Sequence, residues 1–342
     1  MPQNEIHSAI SVLNDKGAPQ NFGWARQPHF FYDPALMWAP RRRNSGSDRY
    51  IVFNATHTVI FEIRNDGYLG HLGITVISMR ERKHSTHVFQ ALLPLGSFKM
   101  PSGSHSGAIR YRRKKLILDF VPMESQARII KADIPKFGHN HSLRGELVLT
   151  EPAFAESLVC NVPWRNDKKA FRYSRRSPWY TVEGVIQFGS VEIIFARGNS
   201  WGIFEWSRAI RPTTDISYWA SSCGSKDGRV ISFSVGHGLF DSSACTENAC
   251  FVDGRIHKLD QVAFHISPGN WLSPWNFTSN DNRLEMVFTP QQERIDYRQA
   301  LFHSAIRRQF FGSFSGKVIL DDDSVMDFQN IAGFAEQVKT RF

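Results

Sequence analysis

Short runs of β-branched and aromatic residues, separated by turn residues, recur along most of this chain. Residues 50–53, 58–63 and 317–320 are examples. Such residues suit a pleated, half-buried strand. The Asp253-Gly254 pair between two runs is the strongest turn signal, because this dipeptide readily adopts the positive φ angles of a tight hairpin. The regular alternation of short strands and turns predicts an all-β protein built of barrels or sandwiches.

The length predicts more than one structural unit. The 342 residues exceed one ordinary domain, and 42% hydrophobic residues are enough to bury a full core. Residues 160–180 are basic, polar and contain two prolines, which indicates a linker or a long crossover. We therefore predict two halves, 1–165 with a leading loop segment and 166–342 with the ligand site. Few short helices are expected, with 290–308 and 331–339 as the best candidates.

The formal net charge of +9 raises the question of a nucleic-acid or membrane partner. Two basic clusters, residues 110–115 and 168–176, carry much of the excess. The first alternates partly with apolar residues, as a solvated edge strand with protective Lys and Arg does. No helix-turn-helix, zinc-finger or RNA-binding signature accompanies them. We interpret the clusters as solvated faces and expect no nucleic-acid partner.

The spacing of the cysteines and the absence of known catalytic motifs reduce the number of reaction types to consider. The four cysteines form no CxxC pair, and no histidine cluster has zinc spacing, so we expect free thiols, no metal and no cofactor. There is no Gly-rich phosphate loop and no His-Glu-x-x-His zinc motif. No segment approaches the roughly 18 apolar residues of a membrane helix, and the first thirteen residues lack an apolar signal core. A cytoplasmic location is expected, and the oligomeric state stays open.

One strand-like segment surrounds an acid with large apolar residues. Alternation along a strand places Trp201 and Glu205 on one face and Trp206 and Arg208 on the other. An acid on an apolar face is costly unless it is paired or functional. Two interpretations follow: Glu205 is a general acid that burial keeps protonated, or it forms a structural ion pair with Arg208 or Arg211.

Two further groups of polar residues are candidates for the site. Glu247 and Asn248 precede the hairpin and either point into a barrel mouth, where few polar groups orient a ligand, or satisfy turn backbone groups. His237 and Asp241 flank glycines that indicate a bulge or a close backbone approach. This pair can transfer protons, although a structural histidine is the commoner role.

Tryptophans complete the set of candidates. Tyr218 and Trp219 point to opposite faces of a strand, so one packs in the core and the other can contact a ligand. Trp271 and Trp275 lie in a loop of the kind that rims binding mouths.

Several spaced motifs occur in the order of a known family. They are Trp201-Gly-Ile-Phe-Glu-Trp-Ser-Arg208, Trp219-Ala-Ser221, Thr246-Glu-Asn248, Asp253-Gly254 with Lys258-Leu259, Pro274-Trp275 and Gly333-Phe-Ala-Glu336. In these motifs, and over nearly its whole length, the chain resembles the domain-of-unknown-function family 2804. Glu205 stands where we expect an aspartate in that family. More loosely, the layout is similar to the lipocalin-like (calycin-like) two-barrel group of carotenoid hydratases and tocopherol cyclases, which place an acid and aromatic residues around an apolar ligand.

Together these features predict two lipocalin-like β-barrel or sandwich halves that enclose a small, largely apolar ligand. Three functions stay open: a cofactor-independent hydratase, lyase or isomerase, a carrier without catalysis, and a carbohydrate-active protein with tryptophan platforms and paired acids. The expected catalytic residues are Glu205, Glu247, Arg208, His237 and Asp241. The expected ligand contacts are Trp201, Trp206, Trp219, Asn248, Trp275 and, from the resemblance, Lys258.

Overall fold

The computed structural model describes residues 3–37, 43–92, 98, 100–113, 116–138, 141–238, 240–300 and 303–341. Over these ranges the protein is all-β, with 24 strands and one short 3₁₀ turn, Pro34–Leu36. No helix in this part of the chain is long and apolar enough to cross a membrane. The all-β prediction is therefore confirmed.

Nearly all strands belong to two curled antiparallel sheets, and β1 (Ile10–Ser11) and β3 (Phe30–Phe31) form a small parallel pair. The first sheet contains β2 (Gly23–Ala25), β4 (Asn44–Phe53), β5 (His57–Asn65), β6 (Leu69–Ser78), β7 (Lys83–Leu92), β8 (Ile109–Arg113), β9 (Leu116–Pro122), β10 (Ala127–Phe137), β11 (His141–Thr150), β12 (Leu158–Trp164), β13 (Asp167–Phe188), β14 (Val191–Phe195) and β15 (Trp201–Ile210). The second contains β16 (Thr214–Lys226), β17 (Arg229–Gly238), β18 (Ala249–Val252), β19 (Arg255–Lys258), β20 (Val262–His265), β21 (Trp275–Ser279), β22 (Leu284–Ala300), β23 (His303–Ile319) and β24 (Val325–Arg341).

Each sheet curls around an apolar core, as expected for two lipocalin-like halves, and Ala249, Phe251 and Ile256 of the second sheet also pack in the core of the first. The hydrogen-bonded sheet changes between β15 and β16, at residues 211–213. The predicted boundary after residue 165 lies between β12 and β13, which pair with each other inside the first sheet. The Asp253-Gly254 hairpin is confirmed: both residues have positive φ, at 49° and 80°, between β18 and β19.

The predicted linker is wrong, since residues 160–180 form most of the hairpin of β12 and β13. Lys168 and Lys169 are exposed, but Arg175 and Arg176 are buried. This basic cluster is therefore not a solvated face: its inner members lie inside the molecule, where they meet carboxylates. The first basic cluster does alternate along the edge strand β8, with its arginines exposed; Lys114 and Lys115 lie outside the described residues.

Both predicted helices are also wrong. Residues 290–308 belong to β22 and β23, and 331–339 to β24. Along β22 the alternation of buried side chains continues from Phe288 into Gln292, Arg294 and Arg298. A strand that buries charged residues has no apolar alternation, so its polar sequence looks like the surface of a helix.

The two sheets pack against each other through an apolar cluster. Ile51 of β4 and Trp201 and Ile203 of β15 meet Phe311 of β23 and Phe334 of β24. Trp206 packs instead in the core of the first sheet. The predicted division of β15 into two faces is therefore confirmed, and the face that carries Glu205 is turned toward the second sheet.

Candidate functional site

A polar cavity of about 120 Å³ lies between the two sheets, beside this apolar cluster. Every second residue of several strands lines it, because side chains alternate across a strand. Four strands show this spacing over three alternate positions: Ser45, Ser47 and Arg49 of β4, Glu205, Ser207 and Ala209 of β15, Asp215, Ser217 and Trp219 of β16, and Glu336, Val338 and Thr340 of β24.

Arg49 is at the centre of a buried charge network on the cavity wall. Its Nη1 and Nη2 donate to Oε2 and Oε1 of Glu336, both at 2.8 Å. Its Nε donates to Oε2 of Glu205. Gln309 donates a further hydrogen bond to Glu336 at 3.0 Å. One guanidinium thus binds carboxylates from both sheets, in the bidentate geometry that makes such pairs strong.

Glu205 therefore forms ion pairs, as one of the two interpretations expected, but with different partners. The second arginine is Arg176 of β13, whose Nη1 lies 2.9 Å from Oε1. Arg208 points to the opposite face, where it pairs with Asp48 at 2.9 Å and lies 4.3 Å above the Trp206 ring. The expectation that Arg208 acts on Glu205 is wrong, because strand alternation separates the two side chains.

Arg307 extends the network away from the cavity. Its Nη1 donates to Glu62 of β5 at 3.1 Å, and Arg298 donates to the same carboxylate oxygen at 3.0 Å. Burial raises the pKa of Glu62, but the charges of Arg298, Arg307 and Arg64 outweigh it and hold this pKa well below its ordinary value. Glu62 is thus held ionised behind the cavity wall.

Several buried N–H groups on residues that line the cavity have no hydrogen-bond acceptor among the described residues. They include Nε of Arg64, Arg176 and Arg307 and Nε1 of Trp219. Arg307 Nε lies 3.9 Å from Glu336, too far for a hydrogen bond. The Arg176 guanidinium lies 4.3 Å above the Trp219 ring. Buried donors are normally satisfied, so such a group of donors marks a place for an acceptor-rich molecule or for ordered water.

Asp215 is an acid of the cavity that the sequence analysis missed. Its Oδ1 accepts from Trp164 Nε1 at 3.4 Å, and its Oδ2 from the Ser217 hydroxyl at 3.3 Å. Burial raises its pKa, and Arg172, Trp164 and Ser217 only partly offset that effect. The spacing Asp215-x-Ser217-x-Trp219 on one strand face was the available signal. Arg172 and Arg176 were missed because their cluster was interpreted as solvated.

A second cavity, of about 60 Å³, shares Trp219 as a lining residue with the first and is also lined by Glu247. Glu247 Oε1 accepts from Ser174 at 2.6 Å, whereas Oε2 is 3.6 Å from Arg172 Nη1. The structure therefore places Glu247 and Trp219 together at one site. His237 also lines this second cavity, and its pKa is lowered by burial.

Asp241 does not join His237. It accepts from the Ser243 backbone at 3.0 Å, and no hydrogen bond between Asp241 and His237 occurs among the described residues. Asn248 has a structural role as well: its Oδ1 accepts from the Gly236 N–H at 2.7 Å, which fixes the backbone beside Trp219.

The remaining expected contacts lie away from the first cavity. Lys258 donates to Thr246 Oγ1 at 2.7 Å and to two carbonyl groups, and burial lowers its pKa to about 8. Trp275 is fully buried in the second core, 5.0 Å from the ring of Phe310. Trp201 and Trp206 pack in the clusters described above. In the described ranges, no group of three or more His, Cys, Asp or Glu residues could hold a metal ion.

The family model described as "Domain of unknown function (DUF2804)" matches residues 3–342. No curated protein matches the sequence. Among solved structures, CghA with Sch210972 is similar, with a TM-score of 0.55, 10% identity, and coverage of 88% of this chain and 89% of that chain. A second CghA structure has a TM-score of 0.56 at 8% identity with the same coverage. Kievitone hydratase from Nectria haematococca has a TM-score of 0.46 at 7% identity, covering 87% and 89%. The similarity to CghA shows a shared two-sheet fold.

Proposed function

This chain belongs to the DUF2804 family, and we propose that it binds a small carboxylate-bearing molecule in the cavity between its sheets and transfers a proton to or from it. The observation that carries the proposal is a set of buried N–H groups, on Arg64, Arg176, Arg307 and Trp219, that line one cavity and find no acceptor among the described residues. A carboxylate offers two acceptor oxygens and forms short charge-assisted hydrogen bonds with arginine.

The composition of the cavity wall supports an acidic ligand over a largely apolar one. The carboxylates of Glu62 and Glu247, behind the wall, balance part of the positive charge of the arginines that line the cavity. What the cavity wall has in excess is therefore hydrogen-bond donors more than net charge. The volume of about 120 Å³ is well above the ~10–15 Å³ that one water needs. Six arginines face three acids there: Arg49, Arg64, Arg172, Arg176, Arg211 and Arg307, against Glu205, Asp215 and Glu336.

Asp215 is the proposed proton-transfer group. Glu205 and Glu336 both bind Arg49, whereas the hydrogen bonds that Asp215 accepts from the described residues come from neutral donors, Trp164 and Ser217. A buried carboxyl group with a raised pKa suits general acid–base catalysis near neutral pH. Proton transfer to a bound carboxylate compound is a step of hydratase, lyase and isomerase reactions, so this is the reaction class proposed. A structure of CghA, which has a similar fold, contains Sch210972.

Binding is tested with matched acid and amide probes. Benzoate should bind to the purified protein, as measured by calorimetry or ligand-observed NMR, and benzamide should bind at least about tenfold more weakly. Arg176→Gln should remove the preference for the acid. Arg144→Gln, which alters an exposed pair with Asp133 far from the cavity, should keep it. Equal binding of acid and amide would overturn the proposed ligand class.

Proton transfer is tested on whichever carboxylate the protein retains in native mass spectrometry. Wild-type protein in D₂O should exchange a carbon-bound proton of that compound, followed by NMR. Asp215→Asn should bind the compound but lose the exchange, while Asp133→Asn keeps it. Binding without exchange in the wild type would favour the alternative function, a non-catalytic carrier.

A further inference from the structure

We infer that Trp219 is the specificity-determining residue of this site: it separates the carboxylate chamber from a second chamber, in which Glu247 recognises an amine or hydroxyl group. The inference rests on the proposed function, since the first chamber is the proposed carboxylate site. The second chamber needs a hydrogen-bond donor from the ligand, whereas the first is proposed to bind a carboxylate. The two chambers together therefore fit a molecule with an acid at one end and a donor group at the other.

The position of Trp219 is the first line of support. Its side chain lines both cavities, of about 120 Å³ and about 60 Å³. The indole packs against Gly236 so closely that a Cβ added there would be 1.5 Å from ring atom Cζ3. Asn248 holds the Gly236 N–H at 2.7 Å. The backbone of Gly236, which has no side chain, therefore leaves room for the indole and holds it between the chambers.

Glu247 is the second, independent line of support. This side chain is only 6% exposed, and its Oε1 accepts from Ser174. No group among the described residues donates a hydrogen bond to Oε2, and the Glu247 side chain lines the second cavity. A buried acceptor without a donor is expensive, so the second chamber calls for a ligand donor. In the first chamber most of the described polar atoms that lack a hydrogen-bond partner are donors, although Glu205 Oε1 is an acceptor among them.

Arg172 completes the wall that Trp219 forms between the two chambers. Its guanidinium lies 4.3 Å from the Phe240 ring, which lines the second chamber, and 5.6 Å from the Trp219 ring. The same side chain lines the first chamber and lies 3.6 Å from Glu247. Trp219 and Arg172 thus form one wall, and the aromatic ring is the part that a substitution can remove without breaking an ion pair.

The test compares three probes: benzoate, hexanoate and 6-aminohexanoate. In the wild type, benzoate binds and the amino group adds little to hexanoate. In Trp219→Ala the chambers join, so 6-aminohexanoate should gain at least about tenfold in affinity, and hexanoate clearly less. Adding Glu247→Gln to that variant should abolish the preference for the amino compound. Trp271→Ala, the same change at a tryptophan that lines neither cavity, should leave all three affinities unchanged.

The outcomes separate this inference from the proposed function. If benzoate binds but Trp219→Ala gains no preference for 6-aminohexanoate, the partition is wrong and the proposed carboxylate site stands. If benzoate fails to bind the wild type, both are wrong. Should Trp219→Ala not fold, Trp219→Leu opens the same route with less loss of packing, and it must show the same direction of change for the inference to survive.

Discussion

Arg49 and Glu336 lie 287 residues apart in sequence and form a bidentate ion pair with both hydrogen bonds at 2.8 Å. Arg49 belongs to the first sheet and Glu336 to the second. Both side chains are about 5% exposed. A charge at that depth is tolerated only when it is paired and hydrogen-bonded, so each sheet supplies the group that makes burial of the other possible.

Removal of Arg49 should destabilise the protein strongly. Arg49→Met keeps an unbranched side chain but leaves Glu336 buried without its bidentate partner and Glu205 with one arginine fewer. Breaking a buried pair from one side costs about 3–5 kcal/mol. The free energy of unfolding in urea measures this. Arg144→Gln, at an exposed pair, should cost less than about 1 kcal/mol; similar losses in the two variants would contradict a special role for the network.

The Glu336 carboxyl should make stability depend on acid pH. Burial raises its pKa, but Arg49 and Arg307, with hydrogen bonds from Arg49 and Gln309, outweigh burial and lower the pKa from 4.5 to about 2. Its contribution is therefore complete above pH 4.5 and is lost as the pH falls from there through about 2. Glu336→Gln should flatten the dependence in this window by an amount on the order of 3 kcal/mol. An unchanged slope in the variant would be the contrary result.

Asp215 should make stability depend on pH in the opposite direction to Glu336. Burial raises its pKa above the ordinary 3.8, so the folded state holds this proton more tightly than the unfolded chain. Stability from this group is greatest below pH 3.8 and falls as the pH rises through the raised value. The melting temperature of Asp215→Asn relative to wild type should therefore increase with pH above 3.8. Asp133→Asn, at a half-buried position that does not line the cavity, provides the comparison, and a difference that is independent of pH would argue against the raised pKa.

Gly236 should not tolerate a side chain while Trp219 is present. The Cβ of Gly236→Ala would collide with the indole, and overpacking of this kind typically costs about 1–3 kcal/mol. In the background of Trp219→Leu the same substitution should cost much less, so a double-mutant cycle should give a coupling energy above about 1 kcal/mol. Gly103→Ala, where the new atom meets only ordinary contacts, serves as control; additive effects at 236 and 219 would contradict the packing.

Patterns carried by adjacent residues were predicted well. The Asp253-Gly254 hairpin follows from the φ preferences of two residues, and the two faces of Trp201–Ile210 follow from the alternation of a single strand. Glu205 was recognised as a buried acid for the same reason. Its partners, Arg49 and Arg176, were not, because ion pairs across strands depend on sheet register, to which the local sequence gives no guide.

By itself the sequence determined the β-rich fold, its turns and the family resemblance, because these depend on propensities and spacings within a few residues. Only the tertiary structure decided that the basic segment of β13 turns inward, that polar β22 is a strand, and that Asp215 and the donors of Arg176, Arg307 and Trp219 meet at one cavity. The physical reason is that a charged residue is stable inside only beside a partner from another strand. Its burial therefore depends on the assembled sheets and cannot be predicted from its neighbours along the chain.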